Sequence, residues 1–587
     1  MSYIRLRGIG ASPGVAQGEV QLKERIVFTS RKDIIPQNLV KSELKRLDNA
    51  IKRTQKQILT IRDEIKEKIG TEHSFIFEAH LLILEDKSLL ASLKAIIQEE
   101  TAKAEWAISC IHKKYHEIFE SIEDEYFSER GSDVSDVLSK VYLNLESAQK
   151  IKKEDQDSNV LVAHDLLPSD AAMSLSQGNV LAVALDVGGP TSHTAILARS
   201  MNIPAVVGLR DISKKVKDGD QVIVDGTAGE VIINPAIAVE KEFVGKKRKY
   251  DDYQKELRKT ARLSSETLDG FEFCPLANIE LPEEVSQAFS LGAEGIGLFR
   301  SEFIYLQSTS LPSEEEHLQI YSKLAKKAHP ALVDIRTVDI GGEKNLPQMK
   351  IEKEPNPALG LRAIRLSLRD KDLFNIQLRA ILKASTLKNI RILIPMITEA
   401  EEIQEVKFIL ENVKSELREQ GVPFDENIPL GIMIEVPAAA AITDVLVKEV
   451  DYLSIGTNDL IQYYLAVDRT NELVSYLFKP LHPSVLRLVR FVIKTAGEHG
   501  KDVSVCGEMA ADPLSALVLL GFGLRRFSMN PIFIPRIKKA LRSVEYKTVC
   551  KIVQNALKLG CSQEIEEHII EKILVKHPKA FLMTTMD

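Results

Sequence analysis

The chain has 587 residues, 44% of them apolar and 27% charged, which is the balance of a globular protein with room for several domains at roughly 150 residues each. A net charge of −7 argues against nucleic acid as the main partner, and the absence of an apolar leader or of any apolar run of roughly 18 residues excludes a secretory signal and a membrane span. The five cysteines are scattered without metal-ligand spacing, so no disulfide framework is expected and a reducing cytoplasm fits best.

Residues 1–20 place Gly8, Gly10, Pro13, Gly14 and Gly18 between short apolar segments, which predicts a strand and a tight turn. From Val40 the period changes. Val40, Leu44, Leu47, Ile51, Ile58, Ile61, Ile65 and Ile69 recur at helical spacing with charged residues between them, the pattern of a long amphipathic helix. Helical periodicity runs on through HSFIFEAHLLILED and EWAISCIHKKYHEIFESI to about Leu145, so 21–148 is expected to be an all-helical bundle. After Asp155 the runs NVLVAHDLL, NVLAVALD, AVVGL and QVIVDGTAGEVIINP predict strands, with one helix, TAILARSM, among them. Residues 1–20 are expected to join 149–235 in one α/β domain, which makes the bundle an insertion. The charge-rich stretch 236–265 reads as a solvated connecting helix. From 266 to 587, eight strand-like runs alternate with helical patterns: FEFCPLANI, GIGLF, ALVDIRTV, NIRILIPMI, LGIMIEV, DYLSIG, VSVCG and RFSMN. This alternation predicts a (β/α)8 barrel.

Reacting groups in such barrels sit just past the C-terminal ends of the strands. Here those positions are unusually polar. They carry Arg300-Ser301-Glu302, then Arg336, Asp339, Glu343 and Lys344, then Glu435, Thr457-Asn458-Asp459, Cys506-Gly507-Glu508 and Asn530, with Arg362 and Arg469 close by in sequence. Arginine offers a planar fork of donors that matches carboxylate and phosphate oxygens, so several from different strands would surround a small, multiply charged anion. Glu435 and Asp459 are hard oxygen ligands of the kind Mg2+ accepts. Each residue alone has an ordinary alternative: a surface charge, a structural ion pair, a small buried thiol. Their joint placement on successive strand ends carries the reading.

A second constellation is GGPTSHTAILAR, residues 188–199. An apolar strand leads into a glycine turn and then a helix, with Thr191 or Ser192 as N-cap and His193 in the first turn. Free N–H groups and a partial positive charge at a helix start would stabilise a phosphoryl group on that imidazole, with Thr191 and Thr194 as further donors. The ordinary alternative is an exposed, idle histidine at a turn.

Taken together these segments resemble Enzyme I of the bacterial sugar phosphotransferase system. GGPTSHTAILAR is similar to that family's phosphohistidine motif. GLFRSEF, IRTVDIGGEKNLP, NPALGLRAIR, MIEVPAAA, SIGTNDLIQYYLAVDR and CGEMAAD are similar to its phosphoenolpyruvate-site motifs, in the family's order, and the match spans nearly the whole chain. The resemblance implies a swivelling phosphohistidine α/β domain with an inserted helical bundle that docks the carrier protein HPr, a linker helix, and a C-terminal barrel that binds phosphoenolpyruvate and forms homodimers. It implies that His193 is phosphorylated, with Thr191 in support. It implies that Arg300, Arg336, Arg362, Asn458, Asp459 and Arg469 bind substrate, that Glu435 and Asp459 hold Mg2+, and that Cys506 protonates the enolate to give pyruvate. Two positions depart from the family. Pro190 stands where a basic residue is common, and Ser135 where arginine is usual. Those departures put rate and carrier affinity in question. An ATP-dependent dikinase or synthase would need an ATP-binding domain, and the bundle has no glycine-rich phosphate loop. A nitrogen-regulatory relative would carry a further sensory domain. A non-catalytic regulator would be expected to lack His193, Cys506 or a metal ligand, and all are present.

Overall fold

The computed structural model describes residues 3–23, 28, 31–69, 75–120, 125–145, 159–176, 178–189, 192–201, 203–306, 310–341, 354, 356–469, 471, 473–573 and 575. Two compact units share the chain, one essentially Met1–Asp252 and the other Tyr253–Thr585. Among the described residues no helix is long and apolar enough to cross a membrane.

In the first unit, β1 (Ile4–Arg7), β2 (Ile9–Ser12) and β3 (Val15–Lys23) come from the N-terminal segment. Five helices follow: α1 (Val40–Ile69), α2 (Phe75–Glu85), α3 (Lys87–Glu100), α4 (Ala104–Glu120) and α5 (Glu125–Leu145). The chain then returns through β4 (Asn159–Ala163), α6 (Pro168–Ser176), β5 (Val180–Leu185), α7 (His193–Ser200), β6 (Ala205–Val207), α8 (Ile212–Lys215), β7 (Gln221–Asp225) and β8 (Glu230–Ile233). The sheet order is β1-β8-β7-β3-β4-β5-β6-β2, so strands from both sides of the helical segment interleave in one sheet. The N-terminal stretch supplies three strands rather than the expected one, because its glycines and Pro13 break it into short pieces that each find a different neighbour. Two short helices, α6 and α8, join α7 beside the sheet. The pattern hid α6 because its start is held from another element: Asp136 of α5 accepts from the backbone N–H of Ser169 (2.8 Å).

The helices pack by the stripe their spacing predicts. Leu47, Ile51, Ile58 and Ile61 of α1 are buried with Leu89, Leu93 and Ile97 of α3. Each such side chain removed from water contributes about 1.5–3 kcal/mol. On α5, Ser135 shares a hydrogen bond with His112 Nε2 (3.2 Å).

A helix, α9 (Ile237–Thr260), leads on to the second unit. Its eight strands are β9 (Cys274–Ile279), β10 (Ile296–Arg300), β11 (Val333–Arg336), β12 (Ile390–Ile394), β13 (Leu430–Ile434), β14 (Tyr452–Ile455), β15 (Asp502–Val505) and β16 (Arg526–Met529), closed into a parallel barrel in sequence order. All eight coincide with the apolar runs read from the sequence. Between barrel and helices lies a large apolar core, which also holds a buried polar exception. His317, on the helix Glu314–Ala328, is fully buried beside Tyr305 and Tyr321, and neither ring nitrogen has a hydrogen-bond partner among the described residues.

Burial pushes the His317 pKa down from 6.5 to about 4, only partly opposed by Glu316. The unfolded chain therefore binds more protons than the folded one between those values. His317 thus keeps its full contribution above pH 6.5 and loses it as pH falls toward 4, about 3 kcal/mol in all. Denaturant unfolding of the second unit at a series of pH values should show this slope, and His317→Leu should flatten it. An equal slope in the variant would remove His317 as its source.

Candidate functional site

The C-terminal mouth of the barrel holds a continuous chain of alternating charges. Arg300, at the end of β10, donates to Glu280 (2.6 Å) and to Glu302 Oε1 (3.1 Å). Arg336, closing β11, donates to the same Glu302 oxygen (2.6 Å) and pairs with Asp339 (3.1 Å). Arg362 donates to Asp339 (3.0 Å), to Asp459 (3.3 Å) and, through its other terminal nitrogen, to the Tyr463 hydroxyl (3.1 Å). Arg469 ends the chain 4.0 Å from Asp459. Glu302, Arg336 and Asp339 are buried, while Arg300 and Arg469 at the two ends are partly open to solvent. The Nε atoms of Arg336 and Arg362 are buried with no hydrogen-bond partner among the described residues.

Glu435 follows β13 and is 2% exposed. Its Oε1 accepts from the backbone N–H of Met396 (2.7 Å). Burial, then the like charges of Asp459 and Asp339, push its pKa up to about 8 against the pull of Arg336 and Arg362. Two backbones here are bent into the left-handed region: Ala363 at φ +52°, next to Arg362, and Met396 at φ +60°. Such conformations cost on the order of 1–3 kcal/mol in a non-glycine residue and cluster at functional sites.

Asn458 and Asp459 lie in the first turn of the helix Thr457–Leu465, which begins where β14 ends. Asn458 Oδ1 accepts from the Glu508 N–H (2.8 Å). Gly507 allows that approach, since a Cβ there would lie 2.0 Å from Thr457 Oγ1. Cys506 sits just past β15, 7% exposed, and burial pushes its thiol up to about 11, with Ser454 pulling the other way. It therefore carries its proton at neutral pH.

The expected residues Arg300, Arg336, Arg362, Asp459 and Arg469 are thus one network, and Glu435 acts on it through space. Asn458 and Cys506 occupy neighbouring strand ends. Glu343 and Lys344 lie outside the described residues. Glu302, Asp339 and Tyr463 were not singled out as binding residues by the sequence, although Arg-x-Glu in FRSEF and Arg-x-x-Asp in IRTVD are spacings at which such pairs form.

A hard divalent cation fits these residues. Among the described residues no group of three or more metal-ligating side chains converges. Mg2+ is usually held by only one or two carboxylates plus substrate oxygens. Glu435 and Asp459 are two carboxylates whose mutual repulsion, recorded in Glu435, a cation between them would relieve.

In the first unit, Gly188 takes φ +108°, a turn open to glycine, before α7. Ser192 is the N-cap, its Oγ accepting from the Ala195 N–H (3.4 Å), and His193 is the first helical residue. Ala195, Leu197 and Ala198 of α7 are buried, and Arg199 clamps the helix to the Ala11 carbonyl (2.8 Å). Thr194 is buried and donates to the Leu166 carbonyl (3.3 Å), so its hydroxyl is committed to the fold. Thr191 and Pro190 lie outside the described residues. A feature absent from the sequence reading flanks this turn. Asp186, just past β5, accepts from the backbone and hydroxyl of Ser213 and pairs with His164 Nδ1 (3.0 Å). His164 also receives the Val187 N–H on its carbonyl (3.2 Å).

Three family models match the chain: the PEP-utilising enzyme N-terminal model over 7–130, its mobile domain over 155–229 and its PEP-binding domain over 254–546. The phosphoenolpyruvate-protein phosphotransferase of Geobacillus stearothermophilus is 40% identical over 565 residues, 95% of this chain and 96% of that protein. The Haemophilus influenzae protein of the same name is 40% identical over 575 residues, 97% of this chain and 99% of its own. A solution structure of Enzyme I (nEIt) is 37% identical, covering 42% of this chain and 99% of that one, with a TM-score of 0.36.

Removing the hub of the network should be costly, because it leaves buried charge unpaired. Glu302→Ala is expected to destabilise the second unit by about 3 kcal/mol. This would be read as a lower denaturant midpoint, and an unmoved midpoint would mean that Asp339 alone suffices to hold Arg336. The alternating charges on the strand ends, the three matching models and two near-full-length relatives agree, and the chain belongs to the phosphoenolpyruvate-protein phosphotransferase family.

Proposed function

We propose that this chain takes the phosphoryl group of phosphoenolpyruvate onto His193, releases pyruvate, and passes the group to a histidine of the carrier protein HPr, as the first step of sugar uptake or of its regulation. The observation that carries the reading is the arginine chain at the barrel mouth. Arg300, Arg336, Arg362 and Arg469 are held charged and aligned by carboxylates, as a substrate with a carboxylate at one end and a phosphate at the other requires. Asn458, tethered to Glu508, adds a directional contact to substrate. Glu435 and Asp459 would hold Mg2+, which when bound offsets negative charge on the transferring group.

His193 attacks phosphorus roughly in line with the leaving enolate oxygen, and the first amides of α7, supported by Thr191, receive the phosphoryl group. Cys506 arrives as a neutral thiol and gives its proton to the methylene carbon of the enolate, which makes pyruvate and draws the transfer forward. The helices α1–α5 are the docking surface for HPr, the barrel unit forms the homodimer, and the protein works in the cytoplasm. The reading requires His193 to meet the barrel mouth and the carrier in turn. Pro190 contributes no N–H and no charge, so altered rate or affinity is expected relative to family members with a basic residue there.

The test is labelling by phosphoenolpyruvate carrying radioactive phosphorus, with and without Mg2+. Acid-labile label is expected on the intact protein, lost on chelation and absent in His193→Ala, while that variant keeps phosphoenolpyruvate binding within about twofold because the barrel residues are untouched. Cys506→Ala should slow pyruvate formation about a hundredfold, the usual share of a general acid. Binding of phosphoenolpyruvate without any label would reject the transferase reading in favour of a non-catalytic regulator.

A further inference from the structure

The barrel interior carries a line of hydroxyls that this chemistry does not yet use. Side chains on one face of a strand recur every second residue, so Ser504 and Cys506 share a face of β15 and the residue past its end. The strand register sets Ser454 opposite Ser504. Ser504 Oγ donates to Ser454 Oγ (3.1 Å), and Ser454 Oγ donates to Cys506 Sγ (3.3 Å). The thiol's own S–H faces the Ile455 carbonyl (3.6 Å). Both serines are buried, and Leu298, Leu393, Met433 and Tyr452 pack with Cys506 in one apolar cluster.

A neutral thiol is a poor acceptor, so the Ser454 hydroxyl gains little from it. A thiolate is a strong one, and hydrogen bonds to an ionised partner are about twice as strong as neutral ones. The arrangement therefore favours the sulfur after its proton has left. In the proposed reaction the S–H bond breaks as a C–H bond forms at the methylene carbon. The S–H electron pair stays on sulfur, and the negative charge passes from the enolate oxygen to Sγ. That charge appears against the apolar cluster around Cys506, with the Ser454 hydroxyl beside it as a donor.

We propose that Ser454, oriented by Ser504, is a positioning residue that stabilises the Cys506 thiolate formed when pyruvate is made. The inference rests on the reading of Cys506 as the proton donor.

The experiment uses the full-length protein and three variants, Ser454→Ala, Ser504→Ala and Cys506→Ala. Two quantities are measured: steady-state pyruvate formation, and the rate of iodoacetamide alkylation at Cys506 in substrate-free protein at pH 9, resolved by peptide mass. Ser454→Ala should lower kcat about five- to tenfold with KM within twofold, and should slow alkylation to a similar degree. Ser504→Ala should act in the same direction and more weakly. Wild-type alkylation and wild-type kcat in Ser454→Ala would overturn the proposal. Should Ser454→Ala fail to fold, an unchanged alkylation rate in Ser504→Ala would overturn it equally. Full turnover in Cys506→Ala is a different failure: it would remove Cys506 as the acid, while alkylation of Cys506 in the serine variants would still report the hydrogen bond.

Discussion

The barrel mouth is governed by the need to keep guanidinium groups in place before any anion arrives. Out of water, a charged group is tolerated only when it is paired and hydrogen-bonded. Here the pairing is shared. Glu302 bridges Arg300 and Arg336, Asp339 bridges Arg336 and Arg362, and Asp459 bridges Arg362 and Arg469. No single arginine can turn away without loosening its neighbours. An incoming anion therefore meets donors already aimed, and the ordering cost has been met during folding. Four guanidiniums face four carboxylates from Glu280 to Asp459, and beside them Glu435, pushed up to about 8 by burial and by Asp459 and Asp339, keeps its proton at neutral pH. A cation held by Glu435 and Asp459 would favour the ionised form of Glu435 and offset the charge of a multiply charged anion.

Such a site is expensive, and the surrounding core is what tolerates it. The buried carboxylates and the left-handed backbones at Ala363 and Met396 each oppose folding. They are opposed by eight strands whose buried side chains form one continuous apolar core with the outer helices. The charges of the network are gathered at and just beyond the C-terminal ends of the strands. Inside the barrel, polar groups are admitted where partners exist. Arg391 and Asp334 form a two-pronged pair under the Tyr452 ring, and Ser504, Ser454 and Cys506 form the hydroxyl line.

Much of this was legible in the sequence, for physical reasons that also mark where legibility stops. The barrel strands were readable because parallel strands buried on both faces are short apolar runs, and each is punctuated by the polar residues that become the site. The long helix Val40–Ile69 was readable from its 3.6-residue period. The N-terminal strands were only partly so, because four-to-nine-residue pieces broken by glycine carry little period. The site arginines were found as types in suggestive places, but their carboxylate partners were not all recognised, since Glu280 reaches Arg300 from the end of a neighbouring strand. The Ser454–Cys506 contact was invisible for a stricter reason. It depends on the register between β14 and β15, and a shift by one residue would send Ser454 to the opposite face.

The two halves of the proposed chemistry are built on different physics, and the difference has a functional logic. In the proposed reaction the barrel would hold its anion with fixed guanidinium charges, which suits a site where substrate must be gripped and aligned for transfer. His193 stands instead at the start of a helix, behind a glycine turn and a serine cap, where in the proposed reaction backbone amides and a partial charge would do the holding. Those amides are worth far less than a desolvated arginine. A phosphoryl group kept there is stabilised enough to persist and weakly enough to leave. Proline at 190, where the resembled family commonly has a basic residue, has neither a backbone N–H nor a charge to offer. That end of the sheet carries His164 paired to Asp186, whose hydrogen bonds hold the carboxylate ionised against the opposing effect of burial. The carrier step of the proposed reaction depends on what lets the group go, and weak holding at the start of a helix would favour it.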